Sequence, residues 1–448
     1  MSGTRRRFLG AVTAASYARV LGANDRIQTG FIGYGLIGAQ HVHDFKRQPD
    51  VDLAAVAEVS QARLDEGLTA CGPRAKGCRD FRKLLESPEI QAVVISTPDH
   101  WHALMTILAC AAGKDVYVEK PLTLFVREGR WMVAAARRYN RVVQVGTQQR
   151  SGRHYQKAVE LMRGGYIGKV HSIRMASFRN VMPGFGSPPD TAPPSGLDYD
   201  LWLGPAPARP YNPQRSLYHF RWFWDYSGGQ MTNLAAHELD LVLWAMQVKG
   251  PTAVSSGGGR FCLEDNGETP DTQDALFEFP GFTALWSHRE AGGARRRDRD
   301  YATEFVGSKG TLAITRGRFE VIPDPKVDPS NAIPVFRGHP AGGPRRNEQK
   351  LEPWIQPLSE SGSQQEQFDL HVRNFLDCVK SRQRPIADVE DGHRVATACH
   401  LANISLLTGR KIRWDEEKEE MLGDPDAAAH LERPYRKPWD EVLRSLKL

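Results

Sequence analysis

From residue 27 the chain alternates short apolar runs with stretches of helical periodicity. Residues 28–32 read as a strand, Gly33-Tyr34-Gly35-Leu36-Ile37-Gly38 follows at once, and a helical pattern runs on to about Arg47. Residues 51–58 form a second strand and 91–97 another, followed by a helix over 101–112. A strand over 115–119, a long helix over 124–139 and a strand over 141–146 close the series. Alternating strands and helices of this kind predict a parallel sheet covered on both faces.

Beyond residue 148 the pattern changes. Residues 170–178, 275–279, 282–288 and 303–305 read as strands, with Gly307-Ser308-Lys309-Gly310 as a turn. Residues 182–213 are crowded with proline and glycine and predict a long ordered loop. Residues 323–364 lack periodicity and predict an irregular excursion, whereas 366–380 and 390–408 read as helices. The divisions are a leader over 1–26, a nucleotide-binding domain over 27–147 and a second domain over 148–448.

The glycine run has the context that gives such a motif meaning: a strand before it, a helix after it, and an acid, Glu58, about 20 residues beyond its last glycine. Gly33 permits the tight turn, Gly35 the approach of a pyrophosphate, and Gly38 the close packing of helix on strand. The helix start supplies free amides to phosphate. A carboxylate at Glu58 suits the ribose hydroxyls and repels a 2′-phosphate, which favours NAD; Arg63 nearby keeps NADP as the alternative.

At 40% hydrophobic and 25% charged residues the chain is globular, not disordered. The longest largely apolar uncharged run, 8–18, is too short for a bilayer, which needs about 20 residues. Arg5, Arg6, Arg7 and Arg19 precede residue 24 with no acid among them, so the net charge of +6 falls to +2 without them. Nucleic-acid binding therefore loses its compositional support. The cluster Arg295, Arg296, Arg297 and Arg299, interleaved with Asp298 and Asp300, reads as a solvated loop. Thr4-Arg5-Arg6-Arg7-Phe8-Leu9, with small residues after it and Leu21-Gly22-Ala23 as a cleavage site, resembles a bacterial twin-arginine signal. That implies export of a folded protein to the periplasm, with a cytoplasmic location as the alternative. The six cysteines are sparse, and only Cys71 and Cys78 are near enough in sequence to suggest a disulfide. No zinc-type spacing of His and Cys occurs, so no metal is expected.

Ser96-Thr97-Pro98-Asp99-His100-Trp101-His102 and Val118-Glu119-Lys120-Pro121 carry a further resemblance. Together with Gly146-Thr147-Gln148-Gln149-Arg150, Trp202-Leu203-Gly204-Pro205 and the segment from Tyr226 to His237, they resemble the Gfo/Idh/MocA oxidoreductases over most of the chain. The resemblance implies an α/β Rossmann domain followed by an α+β domain with a large, mostly antiparallel open-faced sheet. That sheet commonly makes homo-oligomer contacts. The resemblance also implies NAD or NADP as cofactor, tightly bound if the enzyme is exported.

An alcohol dehydrogenation needs a base near neutral pH and a group that holds the substrate oxygen. Lys120, past the C-terminal end of a strand, is placed to hold that oxygen. His237 is the candidate base. The family's histidine follows an aspartate by four residues; here Asn233 stands in the aspartate position and weakens the support for an imidazolium. Thr97, Pro98, His100, Trp101, His102, Glu119 and Gln148 are cofactor-side candidates, besides the glycine run and Glu58. Arg150, Tyr155, Arg221, Trp222 and Trp224 combine aromatic faces with hydrogen-bonding groups, as carbohydrate sites do. The implied activity is oxidation of a sugar, cyclitol or derivative. The alternatives are an NAD-dependent glycoside hydrolase, which oxidises its sugar transiently, and a non-catalytic sugar-responsive protein.

Overall fold

A computed structural model describes residues 26–216, 218–292, 301–326 and 352–447. The expected leader up to residue 25, the basic cluster at 295–299 and the middle of the 323–364 excursion lie outside them. The first half runs β1 (Ile27–Ile32), α1 (Leu36–Lys46), β2 (Val51–Ala57), α2 (Gln61–Cys71), β3 (Lys76–Cys78), α3 (Phe81–Leu85), β4 (Ala92–Ile95), α4 (Asp99–Ala111), β5 (Asp115–Val118), α5 (Val126–Arg138) and β6 (Val143–Val145). The second half runs α6 (Arg153–Arg163), β7 (Val170–Phe178), α7 (Tyr199–Leu203), α8 (Ala236–Met246), β8 (Ala253–Gly259), β9 (Thr272–Phe279), β10 (Phe282–Arg289), β11 (Tyr301–Gly307), β12 (Gly310–Ile314), β13 (Arg318–Pro323) and β14 (Leu358–Ser361). It ends with α9 (Gln364–Ser381), α10 (Val389–Thr408), β15 (Ile412–Asp415), β16 (Glu420–Met421), α11 (Pro425–Ala428) and α12 (Trp439–Ser445).

The first sheet has the order β3-β2-β1-β4-β5-β6, and every pairing is parallel. This is the doubly wound dinucleotide-binding order. Strands β4 and β5 are buried at every position, as their continuous apolar runs require when both faces are covered. Consecutive residues point to opposite faces. Phe31, Val94 and Tyr117 therefore join one apolar cluster, and Ile32, Ile95 and Val118 the other.

The chain crosses back to complete this sheet. Helix α9 lays Phe375 against Tyr117, with ring centroids 5.8 Å apart. Arg373 binds Asp50 at 2.7 Å, Lys380 pairs with the same carboxylate, and Arg382 reaches Asp115 at 2.6 Å. Burial alone would raise the Asp50 pKa, but the Arg373 and Lys380 contacts outweigh it and hold the carboxyl at about 2.

The second sheet has the order β14-β13-β12-β11-β7-β10-β9-β8-β15-β16. Its pairings are antiparallel except β7 with β10. On β9 and β10, Ala275, Phe277, Ala284 and Trp286 face inward. Leu276 and Leu285, cross-strand partners, stay exposed on the other face. Strands β3 and β8 were not expected: one has three residues and the other is Ser-Val-Gly rich, so pairing, not propensity, makes them strands. Loop 182–213 is irregular apart from α7. Cys71 and Cys78 are free thiols, like the other four cysteines, so the suggested disulfide is corrected. Among the described residues no helix is long and apolar enough to cross a membrane.

The last helix ties the C-terminal tail to the first sheet. Trp439, buried, lies 4.9 Å from Trp101 and 6.4 Å from Phe81 between ring centroids. Trp439→Ala should destabilise the fold by about 3 kcal/mol, as truncation of a buried indole does. A urea titration would register this as a lower midpoint with an unchanged slope.

Candidate functional site

The glycine turn is built as its sequence requires. Gly33 has φ +91°, and a Cβ there would stand 2.9 Å from the Ser96 carbonyl oxygen. A Cβ on Gly38 would come within 2.3 Å of the Gly33 carbonyl oxygen. Gly35 differs: the nearest atom to its Cβ position is the Arg63 Nη1, at 3.4 Å. Its backbone faces open space, and α1 starts there with no side-chain cap, leaving its first amides available. Glu58 closes the turn from below, accepting from the Tyr34 backbone N–H at 2.8 Å and the Ser60 N–H at 2.9 Å.

Above the turn lies a cleft of about 960 Å³. Gly33, Gly35, Leu36, Ile37, Glu58, Thr97, Pro98 and Trp101 line one side, and Trp202, Phe220 and Arg221 belong to the other. The open cradle at Gly35, the uncapped helix start and the size of the cleft fit a dinucleotide.

The two sequence motifs meet through His102. Its Nδ1 stands 2.7 Å from the Pro121 carbonyl oxygen and its Nε2 2.9 Å from that of Thr97. The ring thus staples the Thr-Pro turn to the Lys-Pro turn. His100 does not reach the cofactor cleft. It is buried, bonded to the Trp202 carbonyl oxygen at 3.0 Å, and burial pushes its pKa down to about 3. Trp101 lines the cleft while its Nε1 donates to the same carbonyl at 3.0 Å. Glu119, a cofactor-side candidate, instead faces inward: its Oε1 lies 2.7 Å from His41 Nε2, and its Oε2 accepts from the Lys120 backbone at 3.1 Å.

Lys120 begins a cis Lys-Pro peptide just after β5. Its Nζ donates to the Asn233 backbone oxygen and to Asn233 Oδ1, both at 2.9 Å. Burial lowers its pKa to about 8, opposed by Glu119 and reinforced by Arg221. Asn233 sits in a single π turn, Met231–Ala235, immediately before α8, a feature concentrated at functional sites. The expected pairing of Asn233 with His237 does not form: the Asn233 amide donates to Gln230 at 2.9 Å, and its oxygen serves Lys120. His237 is 3% exposed, and its buried Nδ1 has no partner. Burial, then Lys120 and Arg316, drive its pKa well below the ordinary value, so the ring is neutral at pH 7. The neighbouring Glu238 turns away to Trp286 Nε1 at 2.8 Å, and burial raises its pKa to about 8.

Several expected sugar contacts serve the fold instead. Arg150 is 4% exposed and is held by Asp240 through its Nε at 2.9 Å and by the Ile386 carbonyl oxygen at 3.0 Å. Trp222 is buried and donates its indole N–H to Glu290 at 2.7 Å. Trp224 is half-buried and fixes loops through its backbone, accepting from Arg433 at 3.0 Å. Gln148 is buried in the turn after β6. Tyr155 is buried in the sheet–helix core, yet its hydroxyl feels Tyr301 and Arg316. Arg221 alone of this set lines the cleft, its Cζ 4.5 Å from the Phe220 ring centroid. The sequence reading missed Arg316, which lies between β12 and β13 with no motif around it, and Arg79, which joins the cleft wall while binding the Val59 carbonyl oxygen at 2.7 Å.

The profile of an oxidoreductase family's NAD-binding Rossmann fold matches residues 27–147. That of the same family's C-terminal alpha/beta domain matches 178–255 and 351–441. An oxidoreductase of Bacillus subtilis, YrbE, is 31% identical over 305 residues, 65% of this chain and 75% of its own. The chain belongs to the Gfo/Idh/MocA family. A myo-inositol 2-dehydrogenase of Thermotoga maritima is 24% identical over 396 residues, 87% of this chain and 99% of that one. A levoglucosan dehydrogenase solved with NADH and levoglucosan superposes with a TM-score of 0.65 at 17% identity, covering 87% of this chain and 99% of that one. As a Gfo/Idh/MocA member the protein is an oxidoreductase with an NAD-binding Rossmann domain.

Gly35→Ala tests the glycine turn as a pyrophosphate cradle. A Cβ at Gly35 meets nothing closer than the Arg63 Nη1 at 3.4 Å, so the melting temperature should fall by only a few degrees, whereas NADH affinity should fall about 10-fold or more if the pyrophosphate approaches that backbone. Fluorescence titration with NADH checks this.

Proposed function

We propose that the protein oxidises a secondary alcohol of a sugar or cyclitol, with Lys120 taking the hydroxyl proton and His237 holding the oxygen. The observation that carries this reading is the pair of hydrogen bonds from Lys120 Nζ to the two oxygens of Asn233. A neutral amine has two N–H bonds and one lone pair. Two acceptors on one residue occupy both N–H bonds and leave the lone pair directed away from them, toward a substrate hydroxyl. The pKa of about 8 keeps a useful fraction of Lys120 unprotonated near neutral pH.

NAD, when bound, supplies the hydride acceptor. Lys120 Nζ receives the hydroxyl proton, and the neutral His237 ring hydrogen-bonds the same oxygen without competing for that proton. This exchanges the two roles expected from sequence, because burial first, and then the cations near it, depress the basicity of His237. The names of the Thermotoga maritima relative, an inositol dehydrogenase, and of the levoglucosan dehydrogenase support the substrate class. Export of the loaded enzyme, argued from Thr4 to Leu9, and association of copies through Leu276 and Leu285 complete the proposal.

Asn233→Asp tests the proton acceptor. A carboxylate in place of the amide stabilises the ammonium form and raises the Lys120 pKa by about 1–2 units. Because the unprotonated form is the active one, kcat/KM at pH 7 should drop, and the pH at which it is half-maximal should move upward by the same amount. An unmoved pH profile would remove Lys120 from the role. Lys120→Ala should cost about 10²–10⁴ in kcat/KM while NADH binding persists.

A further inference from the structure

A buried ion pair stands behind Lys120. His41, on α1 three residues after Gly38, is fully buried, and its Nε2 lies 2.7 Å from Glu119 Oε1. The ring is walled in by Tyr117, 4.9 Å away between centroids, and Phe368, 6.3 Å away. Glu119 Oε2 accepts from the Lys120 backbone N–H at 3.1 Å. Both carboxylate oxygens thus act as acceptors, so the group is ionised and His41 Nε2 carries the hydrogen. Gly146 leaves the space for it: a Cβ there would stand 2.4 Å from Glu119 Oε1. A carboxylate only 4% exposed is costly unless it is paired and hydrogen-bonded. Burial alone would raise the Glu119 pKa, but His41 first, then Lys120 and His102, outweigh it and hold it below the ordinary value.

The charge matters because of where it is fixed. Glu119 directly precedes Lys120, and among the described residues it is the one carboxylate bonded to Lys120. Burial lowers the Lys120 pKa, and Glu119 is the largest influence opposing it. The other groups facing Lys120 come from several elements. Asn233 and His237 approach from around α8, Arg221 from the cleft wall, Asp99 from α4, Arg316 from the β12–β13 turn and Cys399 from α10. Of these, Asp99 supports the ammonium form, whereas Arg221 and Arg316 oppose it. Around Glu119 stand Tyr117 on β5, His102 on α4 and His371 on α9, the last held neutral by burial with its pKa at about 4.

We infer that His41 is a positioning residue for the alcohol oxidation: its ring holds the Glu119 carboxylate ionised behind Lys120, and through it sets the pH at which Lys120 accepts the substrate proton. This rests on the dehydrogenase reading above and deepens it. The test follows the Lys120 side chain by lysine-selective nitrogen NMR of the full chain loaded with NADH, in the wild type, His41→Leu, His41→Gln and Glu119→Gln. His41→Leu removes the donor to Glu119, whose buried carboxyl then takes up a proton. The Lys120 midpoint should fall by about one unit or more, and the pH of half-maximal kcat/KM should fall with it. Glu119→Gln removes the charge while keeping the shape and should lower the midpoint equally. His41→Gln keeps a donor and should retain most of the wild-type value. The His41→Leu shift should vanish in the Glu119→Gln background. A merely structural histidine would lower the melting temperature and leave the midpoint in place. An unmoved or raised midpoint in Glu119→Gln, or in folded His41→Leu, overturns the inference and leaves the dehydrogenase reading standing; if His41→Leu does not fold, Glu119→Gln decides. A wild-type Lys120 that titrates in the ordinary lysine range, about 10.4, removes the proton acceptor of the dehydrogenase reading and the inference with it.

Discussion

The bonds from Lys120 Nζ to Asn233 are the contact on which the rest of the site depends. Lys120 follows the end of β5 in the parallel sheet, and Asn233 lies in the turn before α8, which packs on the antiparallel sheet. The contact therefore joins the two halves at the point where chemistry is expected. It holds only because both ends are fixed from behind. His102 binds the carbonyl after Lys120, Glu119 accepts from the Lys120 amide, and Gln230 takes the free end of the Asn233 amide. In the proposed reaction an unprotonated amine is useful only when its lone pair is aimed, and these second partners would aim it.

Burial is the leading influence on basicity here. Desolvation lowers the basicity of both Lys120 and His237, and the surrounding cations add to it. Glu119 and Asp99 oppose this at Lys120 without reversing it, and Asp240 is held by Arg150. Asn233 is consistent with that arrangement. An aspartate at the same position would hold Lys120 as an ammonium, whereas the amide offers the same acceptor geometry without the charge. The departure from the family pattern thus bears on Lys120 and not, as expected from the four-residue spacing, on His237.

The parallel half was legible because its determinants are local. Continuous apolar runs marked β4 and β5, and the glycine spacing marked the turn, since Gly33 answers a clash with the end of the adjacent strand and Gly38 one within a few residues. The antiparallel half was legible where strands alternate, as in β9 and β10, and not where pairing makes a strand of Ser-Gly sequence, as in β8. Site residues followed the same division. Lys120 and Trp101 sit beside motifs. Arg150 and Trp222 have the composition of sugar contacts, but Asp240 and Glu290, distant in sequence, claim them. The partner of Asn233 was misread because a π turn breaks the helical register that the spacing assumes. Arg316 carries no sequence signal at all; it sits between β12 and β13, with no motif around it.

The central claim is that Lys120 is a low-pKa amine held with its lone pair free. Lysine-selective nitrogen NMR of the NADH-loaded protein, with the Lys120 signal assigned through Lys120→Arg, reads that state directly. The account predicts a titration midpoint near 8. A signal that stays ammonium beyond the ordinary lysine range, about 10.4, would contradict it.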